Sequence, residues 1–208
     1  MTAGRAAAVL RAVDATFVRD GVVLVPPFSV EVYPGQHISL KCPDGRAASI
    51  AARMAAGIVK ATSGTLLIGD FDPRIQPVQV KRFVGYVTHS EDFGWVEPRP
   101  APGSATSKPY EVDSLRRQAA IEMQAALSNV PRREALRRVR ATLDRIGWRD
   151  TMTFAVALAF IRAVKLLVLD RPPAHLANRV CEVFTDEAVL FCSPQTSEVP
   201  SAALVHVS

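Results

Sequence analysis

The sequence predicts an α/β fold, in which a parallel core sheet is joined by an antiparallel N-terminal β subdomain and by a helical insert. Short alternating segments separated by glycine turns fill residues 10–40, and this pattern is typical of antiparallel strands. Fully apolar segments such as Leu166–Leu169 are typical of parallel strands that are buried on both faces. Between these two regions, residues 112–149 repeat apolar side chains at helical spacing.

Composition limits the class of protein. The chain has 208 residues, of which 49% are hydrophobic and 22% charged, with a mean hydropathy of +0.13, values ordinary for one folded soluble domain. The net charge of +5 permits an acidic partner. The best apolar run, 153–164, contains Arg162 and is too short to span a bilayer. Cys42, Cys181 and Cys192 show no CxxC spacing, so we expect small buried thiols in a reducing cytoplasm.

The N-terminal half alternates strands with turns. Its strand-like segments are 13–18, 22–25, 28–32, 37–40, 65–68 and 84–87. An Ala/Met-rich segment, Ser49–Gly57, follows the small-residue loop 42–47 and predicts a helix. We therefore expect an antiparallel β subdomain, a loop and a helix within residues 1–95.

The C-terminal half begins with a loop and a helical insert. Prolines at 98, 100, 102 and 109 exclude regular structure over 96–109. The insert carries an arginine face, whose members are Arg132, Arg133, Arg137, Arg138, Arg140 and Arg145, and a solvated helix face is its plainest interpretation. A helix at 154–164 and strands at 166–169, 188–192 and 203–207 complete the prediction. The expected organisation is one domain, 1–208, with core parts 1–95 and 151–208, a linker and insert at 96–150, and a shortened C-terminus.

The loop before the first helix has the position of a phosphate-binding loop, because backbone N–H groups and a helix N-terminus together attract an anion. The working pattern is G-x-x-x-x-G-K-[ST], in which the lysine reaches the phosphates and the hydroxyl holds magnesium. Residues 42–49 read CPDGRAAS instead. Cys42 and Ala47 replace the two glycines, Ala48 replaces the lysine, and Ser49 retains the hydroxyl.

The residues of this loop resemble those of the nucleotide-binding subunit of ATP-binding cassette (ABC) transporters, and the resemblance covers most of residues 10–193. The family's loop runs G-P-N-G-A-G-K-S-T, which Pro43, Gly45 and Ser49 match in place, with Asp44 for the asparagine. The resemblance implies a P-loop NTPase-like core sheet within a single ABC-type domain.

Later motifs follow in the family's order, but several of their chemically active residues are replaced. His89 stands at the position of the Q-loop glutamine, and Leu166–Asp170 resembles the Walker B strand with its magnesium carboxylate in place. Arg171 stands where the family has its catalytic glutamate, and Ser193 stands near the position of the switch histidine. The LSGGQ signature is missing. The resemblance therefore implies a degenerate member that keeps the fold without the hydrolytic residues.

The resemblance implies a vestigial nucleotide site with no catalytic residue. Its members are Phe17, at the place of the adenine-stacking aromatic, and Pro43, Asp44, Gly45, Arg46, Ala48, Ser49, His89, Asp170 and Arg171. Ser49 and Asp170 would be the magnesium ligands. Loss of the loop lysine removes a contact worth about 1.5–3 kcal/mol, so ATP and magnesium are expected as weak ligands at most.

Charge considerations add one expectation about this site. Compared with the family's motifs, the site lacks the loop lysine and has additional arginines. We therefore expect Arg171 or Arg46 to form an ion pair with Asp170, which requires the charged groups to lie closer than about 6 Å. Three members of the set also have a purely structural interpretation: Phe17 as core packing, His89 as a surface loop residue and Ser49 as a helix N-cap.

Three functions are compatible with these residues. The first is a degenerate ABC-type subunit, a pseudo-ATPase, with a structural or regulatory role beside an intact ATPase subunit or a membrane subunit. The second is a weak ATP-binding sensor without turnover. The third is a basic scaffold whose face at 132–145 binds anionic lipid or nucleic acid, although no aromatic residue interleaves the arginines as nucleic-acid binding would favour. We expect a cytoplasmic protein that reaches the inner face of the membrane through a partner.

Overall fold

The computed structural model describes residues 7–89, 115–147, 151–195 and 203–207. Within these ranges the elements in chain order are β1 Leu10–Arg19, β2 Val22–Val32, β3 His37–Cys42, α1 Gly45–Ala55, β4 Ser63–Ile68, α2 Pro77–Phe83, β5 Val84–Val87, α3 Leu115–Leu127, α4 Arg132–Ile146, α5 Thr151–Ala159, β6 Leu166–Asp170, α6 Ala174–Val183, β7 Ala188–Pro194 and β8 Ala203–His206. The loop predicted at 96–109 lies outside the described residues. The division at 95 and 150 stays a prediction.

Five strands form a parallel sheet in the order β5-β6-β7-β3-β8. All five residues of β6 are buried, as expected of an apolar strand covered on both faces. β7 lies between β3 and β6, and the carboxyl ends of these three strands meet at one edge of the sheet. The predicted α/β class with a parallel core sheet is confirmed.

A second, antiparallel sheet has the strand order β2-β1-β4. β2 lies at the edge of this sheet, and its register with β1 shifts between Ala15 and Phe17, opposite Pro26 and Pro27. An edge strand and such an irregularity both tolerate residues that lack an N–H group. The strands predicted separately at 22–25 and 28–32 are consequently one continuous strand. The predicted antiparallel N-terminal subdomain is confirmed.

Helix α1 packs between the two sheets. Its alanines and Met54 are buried in a core that also contains side chains of both sheets, among them Leu10, Leu40 and Leu190. Small side chains on α1 let its backbone approach both layers closely. The opposite face of the parallel sheet is covered by α5 and α6, where Phe184 packs with Phe191 and their neighbours.

Helices α3 and α4 form the helical insert and pack with α5 around Ile121, Val139 and Ile161. The helical spacing predicted both helices correctly, and it also predicted the buried face of α4. For α3 it predicted the wrong face, since Met123 is 59% exposed and Ile121 is buried instead. The sequence pattern did not predict α2 and α6, both of which begin at prolines. Pro77 is the first residue of α2 and Pro173 is the N-cap of α6, positions where a missing N–H costs little.

Membrane-spanning character is absent from the helices in the described parts of the chain. None of them combines the length and the apolar composition that crossing a bilayer requires.

The pairing of β1 with β4 depends on Gly64. Its φ is +76°, and a Cβ there would collide with the backbone carbonyl of Asp14. We expect Gly64→Ala to lower the free energy of unfolding by the left-handed penalty of about 1–2 kcal/mol and by a further ~1–3 kcal/mol of steric strain. Urea unfolding measures the loss. Gly21→Ala is the matched control, because its φ is +75° with nothing within 4 Å, and equal losses in the two variants would contradict the steric argument.

Candidate functional site

The loop at 42–49 closes directly onto α1. Helix α1 begins at Gly45, and Asp44 is its N-cap, because the Asp44 carboxylate accepts a hydrogen bond of 2.7 Å from the Ala47 N–H. The helix therefore starts four residues before the predicted position. The interpretation of Ser49 as an N-cap is wrong: Ser49 lies inside the helix, one turn further on, and is buried.

Ser49 and Asp170 meet behind this loop. The Ser49 hydroxyl donates a hydrogen bond of 2.9 Å to Asp170 Oδ1. Asp170 is the last residue of β6 and has no exposed surface. Strand order explains the contact, because the carboxyl ends of β3 and β6 lie on either side of β7 and α1 follows β3 directly. The two residues predicted as magnesium ligands are thus in contact.

Arg171 folds back onto the same carboxylate. Its Nε lies 3.3 Å from Asp170 Oδ1, and its side chain is only 26% exposed. A Cβ at Gly45 would lie 3.5 Å from both Cδ and Nη1 of Arg171, so the guanidinium lies against the first residue of α1. Arg171 has a φ of +47°, and its N–H donates to the Cys192 carbonyl at 2.8 Å. The predicted ion pair with Asp170 is present and is made by Arg171, whereas Arg46 is exposed.

Tyr86 completes the surroundings of the carboxylate. Its hydroxyl lies 3.5 Å from Asp170 Oδ2, a long contact from the neighbouring strand β5. Burial raises the pKa of Tyr86 above its ordinary value; hydrogen bonds to Thr88 and Arg53 act in the opposite direction. The sequence reasoning missed this residue, although a tyrosine next to the last residue of a short core strand is a recognisable signal of a polar group at that edge.

The two cysteines at this edge are buried thiols. Cys42 ends β3 and Cys192 lies in β7, both with no exposed surface. Burial raises the pKa of Cys42 to about 12, with further contributions from Asp44 and Asp170. Burial likewise raises the pKa of Cys192. Their predicted role as small buried side chains is confirmed, and Cys181 is half-buried.

Lys41 is a second residue that the sequence reasoning missed. It is 97% buried in β3, on the face opposite to Cys42, and its ammonium donates a hydrogen bond of 3.2 Å to the Ser193 hydroxyl. Both side chains project from the carboxyl ends of adjacent parallel strands.

The other predicted members lie at varied distances from this cluster. Phe17 is half-buried in β1 and packs against the core between the sheets. His89 is half-buried two residues after β5. Pro43 and Asp44 are exposed, and Ala48 is completely buried. The described contacts bring together Gly45, Ser49, Asp170 and Arg171; a nucleotide-binding role for the set stays a prediction.

Magnesium does not fit the cluster in this arrangement. Ser49 and Asp170 supply oxygen atoms, which magnesium prefers. The guanidinium of Arg171, however, lies on the Asp170 oxygen that would face the ion, so a dication would compete with a tethered cation for one carboxylate. Among the described residues no group of three or more His, Cys, Asp or Glu side chains could hold a metal.

Comparison with known proteins identifies the fold. No protein-family model matches the sequence, and no curated protein matches it. Solved structures do match. CbiO1 of Clostridium perfringens, part of the ABC transporter complex CbiONQ, is 16% identical over 97% of this chain and 87% of its own, with a TM-score of 0.69. A putative ABC transporter ATP-binding protein of Pyrococcus furiosus is 12% identical over 95% and 96%, with a TM-score of 0.65.

A third solved structure, an ATP-binding subunit of an ABC transporter, is 14% identical over 90% of this chain and 80% of its own, with a TM-score of 0.62. Each of the three matches 90% or more of this chain. The chain therefore has the fold of ABC transporter ATP-binding subunits, as the motif order predicted.

Removal of the Arg171 guanidinium should destabilise the fold. Arg171→Ala leaves the buried Asp170 carboxylate without its guanidinium and should lower the free energy of unfolding by about 1–3 kcal/mol, measured in urea. Arg46→Ala, at an exposed arginine in the first turn of α1, is the control and should stay within about 0.5 kcal/mol of the parent. Adding Asp170→Asn to Arg171→Ala should recover part of the loss, because the amide carries no charge. Equal losses in the Arg46 and Arg171 variants would disprove the ion pair's role.

The buried thiols should be chemically silent in the native state. With a pKa of about 12, only about one Cys42 in ten thousand is thiolate at pH 8, and the thiolate is the reactive form. Iodoacetamide labelling mapped by mass spectrometry should therefore modify Cys181 first and leave Cys42 and Cys192 unmodified. The protein unfolded in guanidinium chloride is the control and should react at all three positions. Labelling of native Cys42 as fast as Cys181 would show that this edge of the sheet is open.

Proposed function

We propose that this protein is a non-hydrolysing ABC-type subunit, with a structural or regulatory role in a transporter-like complex. The observation that carries the proposal is the Ser49–Asp170–Arg171 cluster, in which the chain's own side chains take the place of the metal and of the catalytic carboxylate. The fold of ABC ATP-binding subunits supplies the surfaces for assembly.

The first support concerns catalysis. Phosphoryl transfer to water is accelerated by positioning and by charges placed against the γ-phosphate. A residue that orients or deprotonates the attacking water is needed beside the Walker B carboxylate, and Arg171 cannot accept a proton there because a guanidinium stays charged. Its ion pair with Asp170 at 3.3 Å also offsets the negative charge that would hold a metal ion.

The second support concerns nucleotide affinity. Ala48 presents a buried methyl group where the loop pattern requires a lysine. The missing charge-assisted contact is worth about 1.5–3 kcal/mol, and each ~1.4 kcal/mol is tenfold in affinity. In addition, the Asp44 carboxylate already accepts from the Ala47 N–H in the first turn of α1. A phosphate that approached this turn would be repelled by the Asp44 carboxylate, which also occupies the Ala47 N–H that the phosphate would need.

The proposed partner is a protein. CbiO1 is described as part of an ABC transporter complex, and a chain with the same architecture can occupy an equivalent place without hydrolysing ATP. An intact ATPase subunit or a membrane subunit would be the neighbour, and the chain would work at the cytoplasmic face of the membrane. ATP turnover would then belong to another subunit.

A weak nucleotide sensor is the second candidate. The observation that favours it is the contact between Ser49 and Asp170, 2.9 Å apart, because the two oxygen ligands that magnesium would use have kept their places. Displacement of Arg171 by MgATP would convert the cluster into a binding site without restoring a catalytic carboxylate.

Two measurements on the purified chain separate these functions. Phosphate release from MgATP should equal that of a heat-inactivated sample, and Asp170→Asn should not change it. Thermal unfolding should be insensitive to millimolar MgATP, because a ligand that does not bind adds no stability. A ligand present at a hundred times its Kd would add about 2.7 kcal/mol. A thermal shift without turnover would favour the sensor. Turnover that Asp170→Asn abolishes would overturn the proposal.

A further inference from the structure

Three aliphatic side chains project into solvent around helix α2. Ile75 is 78% exposed, Val78 is 61% exposed and Ile58 is 55% exposed. Solvent exposure of this degree is unremarkable for one aliphatic residue and is informative when several occur together. With three of them close to one short helix, the surface here is apolar at its centre.

The three residues belong to one patch because the loop after α1 packs on the α2 segment. A Cβ at Gly57 would lie 2.6 Å from Val80 Cγ1 and 3.5 Å from Pro73 Cβ. Ile58 follows Gly57 directly, and Ile75 and Val78 lie between Pro73 and Val80 in the chain. Val78, Lys81 and Arg82 have the i, i+3, i+4 spacing that places side chains on one face of α2, and Ile75 lies in the turn just before this helix.

Basic side chains surround this patch. Lys60, Lys81 and Arg82 are all exposed, and Lys81 and Arg82 lie on α2 itself. In the described part of the chain, neither Lys81 nor Arg82 has an ion pair or a side-chain hydrogen bond. Arg74 differs, since it is paired with Asp72 at 2.8 Å. We name Ile58, Lys60, Ile75, Val78, Lys81 and Arg82 the α2 surface.

The arginine face of α4 lacks this combination because several of its members hold the insert together. Arg132 pairs with Glu122 on α3 at 2.6 Å. Arg138 donates to the Ile161 carbonyl at 2.7 Å, and Arg145 donates to the Val183 carbonyl at 2.8 Å. These three arginines already bind groups of the chain itself, although their side chains are 39–60% exposed. The α2 surface is therefore the better candidate for an external anion.

The shape of the α2 surface indicates the kind of partner. The cavity beside it, which Lys60, Pro73 and Arg74 help to line, has a volume of about 10 Å³, room for one water molecule at most. A cavity of this size cannot enclose a ligand side chain. Protruding apolar tips with a basic rim instead match the boundary between acyl chains and anionic headgroups. We propose that the α2 surface binds an anionic lipid bilayer directly.

This proposal goes beyond the proposed function, in which a protein partner alone holds the chain at the membrane. Sedimentation of the full chain with vesicles tests it. Vesicles of phosphatidylcholine mixed with phosphatidylserine should bind the protein, and binding should fall as salt is added, because screening weakens the charge term. Vesicles of pure phosphatidylcholine should bind much less. Absence of binding to the mixed vesicles at low salt would overturn the proposal.

Two double variants examine the two halves of the surface. Lys81→Glu with Arg82→Glu should lower the partition coefficient at least about tenfold, since each basic residue contributes about fivefold near an anionic surface. Ile75→Ser with Val78→Ser should also lower it, and should weaken the binding that remains at high salt. All four side chains are exposed, so thermal unfolding should be nearly unchanged and reports on folding in each case.

Matched controls lie on the helical insert. Arg133→Glu with Arg137→Glu makes the same change of net charge, and Met123→Ser with Leu127→Ser removes two side chains that are 59% and 75% exposed. These controls should bind vesicles as the parent does. Equal losses in the controls would mean diffuse attraction with no dedicated surface and would overturn the proposal. No substituted residue belongs to the Asp170 cluster, so these outcomes are independent of those of the ATP measurements.

Discussion

The buried carboxylate of Asp170 is the constraint on which the whole site depends. A charge with no exposed surface must be paired and hydrogen-bonded, because its transfer from water is otherwise prohibitively costly. Here the partners come from inside the chain: a hydroxyl on α1 and a guanidinium on the next residue. To reach back, Arg171 adopts a left-handed backbone at about 1–2 kcal/mol, and the hydrogen bond from its N–H to the Cys192 carbonyl holds it there. The carboxylate has become a structural group, with its counter-ion tethered one residue away.

The sequence predicted those features that local patterns determine. Fully apolar β6 and the alternating N-terminal strands follow from the period of two and from burial on one or both faces. The start of α1 could also have been found, since Asp44 is a favoured N-cap residue. The partners of Tyr86 and Lys41 could not be predicted, because they lie 84 and 152 residues away in the sequence. Such contacts are set by strand order, and strand order is a property of the whole sheet.

Arginine shows why composition alone does not locate function. The same residue type is a strut at Arg138, an internal counter-ion at Arg171 and a solvated charge at Arg46. Arg162 adds a fourth environment, in which its guanidinium donates to the Val84 carbonyl at 2.7 Å and burial lowers its pKa. A run of arginines in the sequence therefore shows only how much positive charge the segment carries. Only the surrounding carboxylates and carbonyls decide how much of it remains available to a partner.

The substitution at position 48 has consequences for packing as well as for charge. Ala47, Ala48, Ala51 and Ala52 are all buried where α1 packs between the sheets, so the first turns of the helix now belong to the apolar core. A lysine returned to position 48 would have to extend its ammonium past the Arg171 guanidinium, which already lies against Gly45. Two cations would then share one buried carboxylate, and like charges at close range repel more strongly in a partly buried site than in water. In this arrangement Arg171 and a lysine at position 48 would therefore exclude each other, because both side chains would need the space beside the Asp170 carboxylate.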